Sequence, residues 1–270
     1  MDLIKRIVEW LKSLFVAVEI PDEPEPADNP TEPDTGTTVE PPVIPDEPEP
    51  VVDPEPEDNT DTDMKKTYKY HILLDNGHAK KTPGKRMTLE DGRTFFEYEF
   101  NRDVVKRIAK RLDTLGVPYE ILVPEVDEDI ALSARAGRAN KFCEKYGTKN
   151  CIFLSVHANA AGKGDKWMTA KGFSCYTSKG ETASDPIAEL FMRKAEEVLV
   201  PLGFTIRKYS SKKYSWEDNF TVLVKTKCPA ILTENMFYDN KQEVEFLLSD
   251  KGRDAIAEIH VRSILALEDE

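Results

Sequence analysis

The chain has 270 residues, with 50 acidic and 37 basic side chains and a formal net charge of −13. Residues 21–63 hold 16 of the acidic side chains and no Lys or Arg, so residues 64–270 carry a net charge of only +3, which disfavours a nucleic-acid-binding function. Four cysteines in a chain of this length make no disulfide framework, and the absence of a CxxC pair argues against a cysteine-built zinc site.

The first residues predict an amphipathic N-terminal helix over 1–20. Apolar side chains recur at helical spacing in 2–18, with charged side chains largely on the opposite side. We expect this helix to bind a partner chain, self-associate, lie on a membrane surface or dock on its own domain. The uncharged stretch 13–18 is far shorter than the roughly 20 residues that span a bilayer, and no cleavage site follows. We therefore expect no transmembrane segment and no signal peptide.

Residues 21–63 predict a disordered, acidic, proline-rich linker. The segment contains 12 Pro and repeats PDEPEP at 21–26 and 45–50. Its apolar surface is too small to offset the entropy of ordering, so we expect it to stay unfolded but extended. In polyproline II conformation it would reach at most about 130 Å.

Residues 64–270 form the predicted catalytic domain, in which strand-like and helix-like segments alternate. The predicted strands lie at 68–74, 117–123, 151–156 and 230–233. The predicted helices lie at about 97–115, 129–146, 185–201 and 243–266, and Gly116 is expected to end the first. This alternation predicts an α/β fold with a central mixed, mostly parallel sheet and helices on both faces.

Polar side chains follow three of the predicted strands. The strand predicted at 68–74 runs into Asp75 and His78. The strand at 151–156 runs into His157, and the strand at 230–233 runs into Glu234. The carboxyl ends of neighbouring strands in an open α/β sheet converge on one crevice. Two imidazoles and a carboxylate there suggest a Zn²⁺ site, while hydrogen-bonded histidines at strand ends are the alternative.

The helix at 97–115 offers a further metal ligand. Glu97 precedes Val104 by seven residues and falls near the apolar stripe, whereas Glu99 points away from it. A carboxylate on the buried face of a helix has to be paired or metal-bound. Glu97 is therefore the predicted ligand, and Glu99 is predicted to be solvated.

Four stretches, in this order, resemble the zinc-dependent N-acetylmuramoyl-L-alanine amidases of the amidase type 3 family, particularly the forms found in phage endolysins. They are LLDNGH (73–78), FEYEFNRDVVKRIAKRL (96–112), LSVHANAAG (154–162) and ILTENMFYDNKQEVEFL (231–247). The resemblance covers about 70–265. One departure is that many relatives continue the first motif with further glycines, whereas this chain has residues 79–81 as Ala-Lys-Lys, which concerns substrate fit.

The resemblance implies the site residues by position. The metal ligands of one Zn²⁺ would be His78, Glu97 and His157, and the catalytic residue would be Glu234. Asp75 and Asn159 would orient the histidines or contact substrate, or they serve only as strand ends.

The implied activity is hydrolysis of the amide between the lactyl group of N-acetylmuramic acid and L-alanine of the peptidoglycan stem peptide. Glu234 would act as general base toward a water at the metal. Alternatives are a zinc peptidase acting within the stem peptide, a thiol amidase using Cys175 with His157, and a non-catalytic wall-binding module. Without a signal peptide, we expect the protein to be made in the cytoplasm and to act on the wall after lysis or within a phage particle.

The segment 207–216, RKYSSKKYSW, mixes basic and aromatic side chains. Such a loop near a crevice could bind the carboxylates and sugars of peptidoglycan, or it could be a solvated basic loop. Arg135 lies in a predicted helix and is expected to be structural.

Overall fold

A computed structural model describes residues 67–164 and 166–269 of the chain. The helix predicted over 1–20 and the linker predicted over 21–63 lie outside these described residues, and the boundary predicted at residue 64 stays a prediction. No helix in the described part of the chain is long and apolar enough to cross a membrane.

Six strands form the central sheet. They are β1 (His71–Asn76), β4 (Tyr119–Ile121), β5 (Cys151–Asn159), β6 (Ser174–Thr177), β7 (Trp216–Glu217) and β8 (Ala230–Phe237). Their order is β4-β1-β5-β8-β6-β7, and every neighbouring pair is parallel except the antiparallel pair of β8 and β6. The predicted mixed, mostly parallel sheet is thus confirmed. A separate hairpin joins β2 (Arg86–Thr88) and β3 (Thr94–Phe96).

Helices cover both faces of the sheet, as predicted. They are α1 (Glu97–Leu115), α2 (Leu132–Tyr146), α3 (Ser184–Leu199), α4 (Thr221–Lys225), α5 (Lys241–Leu248) and α6 (Asp250–Glu268). The larger apolar core lies between the sheet and helices α1, α3, α5 and α6. The smaller core lies between the other face and helices α2 and α4. Burial on both faces explains the nearly continuous apolar runs of β1, β5 and β8.

The ends of two helices depend on specific caps. Gly116 ends α1 in a left-handed conformation with φ 74°, as its position predicts. The single helix predicted over 243–266 is wrong, because Ser249 separates α5 from α6 in an extended conformation. Its hydroxyl accepts a hydrogen bond from the Gly252 N–H at 3.0 Å. A Cβ at Gly252 would lie 1.8 Å from the Phe246 carbonyl oxygen, so this tight corner requires glycine.

Candidate metal centre and active site

The carboxyl ends of β1, β5 and β8 meet at one edge of the sheet. Asp75 stands opposite Ser155, and His157 stands opposite Glu234. Because side chains alternate along a strand, all four side chains fall on the sheet face that α2 and α4 cover. The apolar strands thus end in polar side chains that share one crevice.

Three of the sequence-predicted residues come together at this edge. Ligand atoms of His78, Glu97 and His157 all lie within 4.8 Å of one another. Oε1 of Glu97 lies 3.2 Å from Nε2 of His78 and 3.0 Å from Nδ1 of His157. The two imidazole rings meet edge to face, with their centroids 4.8 Å apart. Side chains separated by up to 79 positions in the sequence therefore surround one point.

Glu97 is the first residue of α1, and its side chain is only 1% exposed. Its helical phase predicted this inward direction. Glu99 is exposed and accepts a hydrogen bond from the Tyr98 hydroxyl at 2.8 Å. The structure therefore separates the two glutamates as the helical phase predicted.

The charges at this point favour an ionised carboxylate. Burial raises the pKa of Glu97, but hydrogen bonds from His157 and His78 outweigh it, so that the pKa falls below its ordinary value. Oε2 of Glu97 is buried and has no hydrogen-bond partner among the described residues, and the Lys85 ammonium lies 3.6 Å from it. Two imidazoles and a carboxylate with an unsatisfied oxygen fit a divalent cation such as Zn²⁺.

Hydrogen bonds from α1 fix the backbone around His78. His78 has a φ of 64°, which is uncommon for a residue with a side chain. The Asn101 side chain donates to the Gly77 carbonyl at 3.0 Å, and the Arg102 guanidinium donates to the His78 carbonyl at 2.9 Å. Both donors lie on α1, one turn after Glu97. Helix α1 therefore supplies one candidate ligand and positions another.

Asp75 belongs to a buried ion pair that sequence reasoning missed. Its carboxylate accepts hydrogen bonds from Arg135 at 2.9 Å and from the Ser155 hydroxyl at 2.6 Å. Arg135 and Asp75 are both 1% exposed, and Arg135 also donates to the Asn76 carbonyl at 3.3 Å. Asp75 makes no hydrogen bond to either histidine within the described residues. It supports the turn that leads to His78, with Arg135 as its partner.

The backbone of His157 is held by Asn235 rather than Asn159. The Asn235 side chain donates to the His157 carbonyl at 2.7 Å. The Asn159 side chain instead accepts from the neighbouring Ala160 N–H at 2.8 Å. In the sequence, only the position of Asn235 directly after Glu234 indicated that this side chain lies at the site.

Glu234 lies beside His157 on the adjacent strand. Its side chain is partly exposed, and Oε2 is buried without a hydrogen-bond partner in the described part of the chain. Burial raises its pKa to about 7, against the lowering effect of His157. Directly after this pair the register shifts by one residue, and Met236 takes a positive φ of 69°. This bulge turns the strand at the site, as bulges near active sites often do.

Cys175 does not join this arrangement. It is fully buried in the larger core, on the sheet face opposite to Glu234. Burial raises the pKa of its thiol far above its ordinary value. Burial and a raised pKa both argue against the thiol amidase alternative, because a nucleophilic cysteine has to be accessible to the substrate and have a low pKa.

Comparison with known proteins identifies relatives of this chain. The model of the amidase type 3 family, described as N-acetylmuramoyl-L-alanine amidase, matches residues 72–266. The endolysin of Bacillus phage SPP1 is 32% identical over 199 residues, which cover 72% of this chain and 64% of that protein. The N-acetylmuramoyl-L-alanine amidase CwlM of Bacillus licheniformis is 33% identical over 138 residues, covering 51% and 46% respectively. The matched part thus spans less than two thirds of either relative.

Solved structures share the fold. A crystal structure of an N-acetylmuramoyl-L-alanine amidase from Clostridium difficile 630 aligns with a TM-score of 0.61 and 24% identity, over 76% of this chain and 99% of that one. The amidase AmiC2 of Nostoc punctiforme aligns with a TM-score of 0.60 and 22% identity, over 75% and 98%. Their architecture agrees with the sheet and helices described above.

Proposed function

The chain belongs to the amidase type 3 family of N-acetylmuramoyl-L-alanine amidases, and from this we propose that it hydrolyses the amide between the lactyl group of N-acetylmuramic acid and L-alanine of the peptidoglycan stem peptide. The observation that carries the proposal is the convergence of His78, Glu97 and His157 on one point beside Glu234. Peptidoglycan is accordingly the proposed substrate.

His78, Glu97 and His157 are proposed to hold one Zn²⁺, since three protein ligands are typical of catalytic zinc sites. A bound Zn²⁺ supplies Lewis acidity, which polarises the scissile carbonyl and acidifies the attacking water. The ionised state of Glu97 and the fixed backbone of His78 prepare the site for a cation.

Glu234 is proposed as the general base and acid. Its carboxylate would take the proton of the attacking water and pass it to the alanine nitrogen as the C–N bond breaks. A pKa of about 7 suits both transfers at neutral pH, because the carboxyl can accept and release a proton there. The products are a lactyl carboxylate and a stem peptide with a free amino terminus.

The test combines zinc content with hydrolysis of isolated peptidoglycan. We expect His78→Ala to lose both bound zinc and hydrolysis. His71→Gln, at the opposite end of β1, is the control and is expected to keep both. A His78→Ala protein with the zinc content and activity of the parent would contradict the proposal.

Mass spectrometry of the released fragments separates the amidase from a zinc peptidase with the same metal and base. The amidase releases an intact stem peptide beginning with L-alanine. A peptidase acting within the stem peptide releases a shorter fragment and leaves alanine on the glycan.

For residues 1–63 we propose a tethering role, which rests on their sequence alone. The amphipathic helix would bind a partner chain, another copy or a membrane surface, and the acidic linker would let the domain reach the wall after lysis or from a phage particle. Removing residues 1–63 should abolish localisation or assembly and leave hydrolysis of isolated peptidoglycan unchanged. Loss of hydrolysis in the shortened protein would contradict this role.

A further inference from the structure

The basic and aromatic segment 207–216 forms an ordered edge beside the proposed site. The Tyr209 N–H donates to the Tyr214 carbonyl at 3.1 Å, and the Ser210 N–H to the Lys213 carbonyl at 2.8 Å, which closes a turn. The segment then enters β7, which pairs with β6, the strand that neighbours Glu234. The segment therefore has an ordered backbone, although most of residues 207–212 are exposed to solvent.

The cations of this segment differ in their partners. Lys208 forms an ion pair with Glu196 at 2.6 Å, and Lys213 forms one with Glu217. Across residues 67–164 and 166–269, Arg207 has no carboxylate within ion-pairing distance. Arg207 and Lys212 are thus both exposed cations without an ion-pair partner in the described part of the protein. Arg207 differs from Lys212 in that its guanidinium lies against aromatic rings.

Hydrogen bonds position the backbone of Arg207, and two aromatic rings position its guanidinium. Its N–H donates to the Phe173 carbonyl at 2.7 Å, and its carbonyl accepts from the Trp216 indole N–H at 2.7 Å. Its Cζ lies 5.1 Å from the centre of the Trp216 ring and 5.6 Å from that of Phe237. Both distances are within cation–π range. A guanidinium positioned in this way loses little freedom when it binds an anion.

Arg207 contacts the strand that carries Glu234. Phe237, whose ring contacts the guanidinium, follows Glu234 by three residues on β8. The charges of Glu234 and Arg207 both act on the phenol of Tyr176. Burial is the main cause of its raised pKa, the Glu234 carboxylate raises this pKa further, and the Arg207 guanidinium lowers it. The Arg207 guanidinium and the proposed catalytic carboxylate therefore share one neighbourhood.

One group of the proposed substrate carries the charge that complements this guanidinium. Three residues of strand span at most about 10 Å, which limits the separation of Glu234 and Phe237 along β8. In the stem peptide, the residue after L-alanine is D-glutamate linked through its side chain, so its α-carboxyl is either a free carboxylate or an amide. That carboxyl lies about 7 Å from the scissile amide in an extended peptide.

We propose that Arg207 is a specificity-determining residue whose guanidinium binds the free α-carboxylate of the second stem-peptide residue. The inference rests on the proposed amidase function. The planar fork of arginine matches a carboxylate with two parallel hydrogen bonds and cannot make the same pair with an amide. The enzyme should therefore distinguish peptidoglycan with D-isoglutamate from peptidoglycan with D-isoglutamine.

The experiment compares two muramyl pentapeptides that differ only in this carboxylate or amide, using the full zinc-loaded chain. We expect the parent to cleave the carboxylate form with a kcat/KM about tenfold to hundredfold higher. Arg207→Gln should abolish this preference by raising KM for the carboxylate form alone. Arg207→Lys, which keeps the charge without the fork, should retain part of it. Lys212→Gln removes an exposed cation from the same segment and should leave the preference unchanged.

Several outcomes would overturn the role of Arg207. They are a parent that cleaves both substrates equally, an Arg207→Gln protein with an unchanged preference, or one that loses activity equally on both. Thermal unfolding of each variant shows whether it is folded. A parent that cleaves neither substrate refutes the amidase function instead. Calorimetric binding of the free stem peptide to the parent and to Arg207→Gln then still tests Arg207, and equal affinities would refute its role.

Discussion

Gly77→Ala tests whether the close packing of the His78 turn against His157 determines metal binding. A Cβ at position 77 would lie 2.0 Å from Cε1 and 2.3 Å from Nε2 of His157. Since carbon atoms pack at about 3.5 Å or more, the imidazole has to move by about 1.5 Å. Its Nδ1 is only 3.0 Å from Oε1 of Glu97, so such a shift separates the two candidate ligands.

The expected magnitude follows from the tolerance of metal sites. Ligand distances that fit a metal vary by only about 0.2 Å, and disturbing the groups that merely orient ligands already lowers metal affinity about 10–100-fold. Because this substitution displaces a proposed ligand itself, we expect zinc affinity to fall at least a hundredfold. The assay is competition with a chromophoric chelator, with peptidoglycan hydrolysis measured in parallel.

Gly137→Ala is the matched control for this change. Gly137 lies within α2, and an added Cβ there would meet no heavy atom within 4 Å. Alanine in a helix interior should leave zinc affinity unchanged and raise stability by roughly 0.5–1 kcal/mol. A Gly77→Ala protein that binds zinc as tightly as the parent would refute the reasoning, because the imidazole would then not need its present position.

Three further predictions concern catalysis and stability. Glu234→Gln should lower kcat by roughly 10²–10⁴-fold without lowering zinc content, as measured by steady-state hydrolysis and metal analysis; full activity would exclude it as the base. Arg135→Met should lower the free energy of unfolding in urea by about 3–5 kcal/mol, because it leaves the buried Asp75 carboxylate without its cation. Arg138→Met is the control: it breaks a partly exposed ion pair with Glu125 and should lower the free energy of unfolding by less than about 1 kcal/mol. Burial lowers the pKa of His260 to about 4, below its ordinary value of 6.5, so the unfolded chain binds the proton first and stability falls as the pH drops below 6.5. Between pH 7.5 and 5 this amounts to about 2 kcal/mol, and His260→Gln should remove that part of the pH dependence; an identical pH profile would contradict the assignment.

The sequence predicted the site best where periodicity and strand ends determined it. The seven-residue spacing of Glu97 and Val104 gave the inward direction of the carboxylate, and the polar ends of β1, β5 and β8 indicated where the chain converges. The extent of the strands was less well predicted: β5 and β8 continue through His157 and Glu234, beyond the apolar runs at 151–156 and 230–233. These polar residues remain in the sheet because their backbone groups are paired with the neighbouring strand.

Features that depend on contacts between distant segments were not predicted. Arg135 is separated from Asp75 by 60 positions, and nothing in a helix pattern indicates that its guanidinium is buried. The short strands β6 and β7 have too few residues for an alternating pattern. Strand β6 forms because β8 offers an edge, and β7 forms along the other edge of β6. The break at Ser249 lies in a sequence whose periodicity favours one long helix, and a single hydroxyl cap changes the outcome.

The attachment of the His78 turn to α1 has a consequence for the order of events in folding. Glu97, Asn101 and Arg102 lie within the first one and a half turns of a helix that docks through its apolar stripe, so core formation also assembles the candidate metal site. Newly made chains should therefore reach their native shape in zinc-free medium and acquire the ion afterwards. Removal of zinc by a chelator should then abolish hydrolysis reversibly and leave the fold intact. Zinc fingers differ, because loss of the metal unfolds their domain.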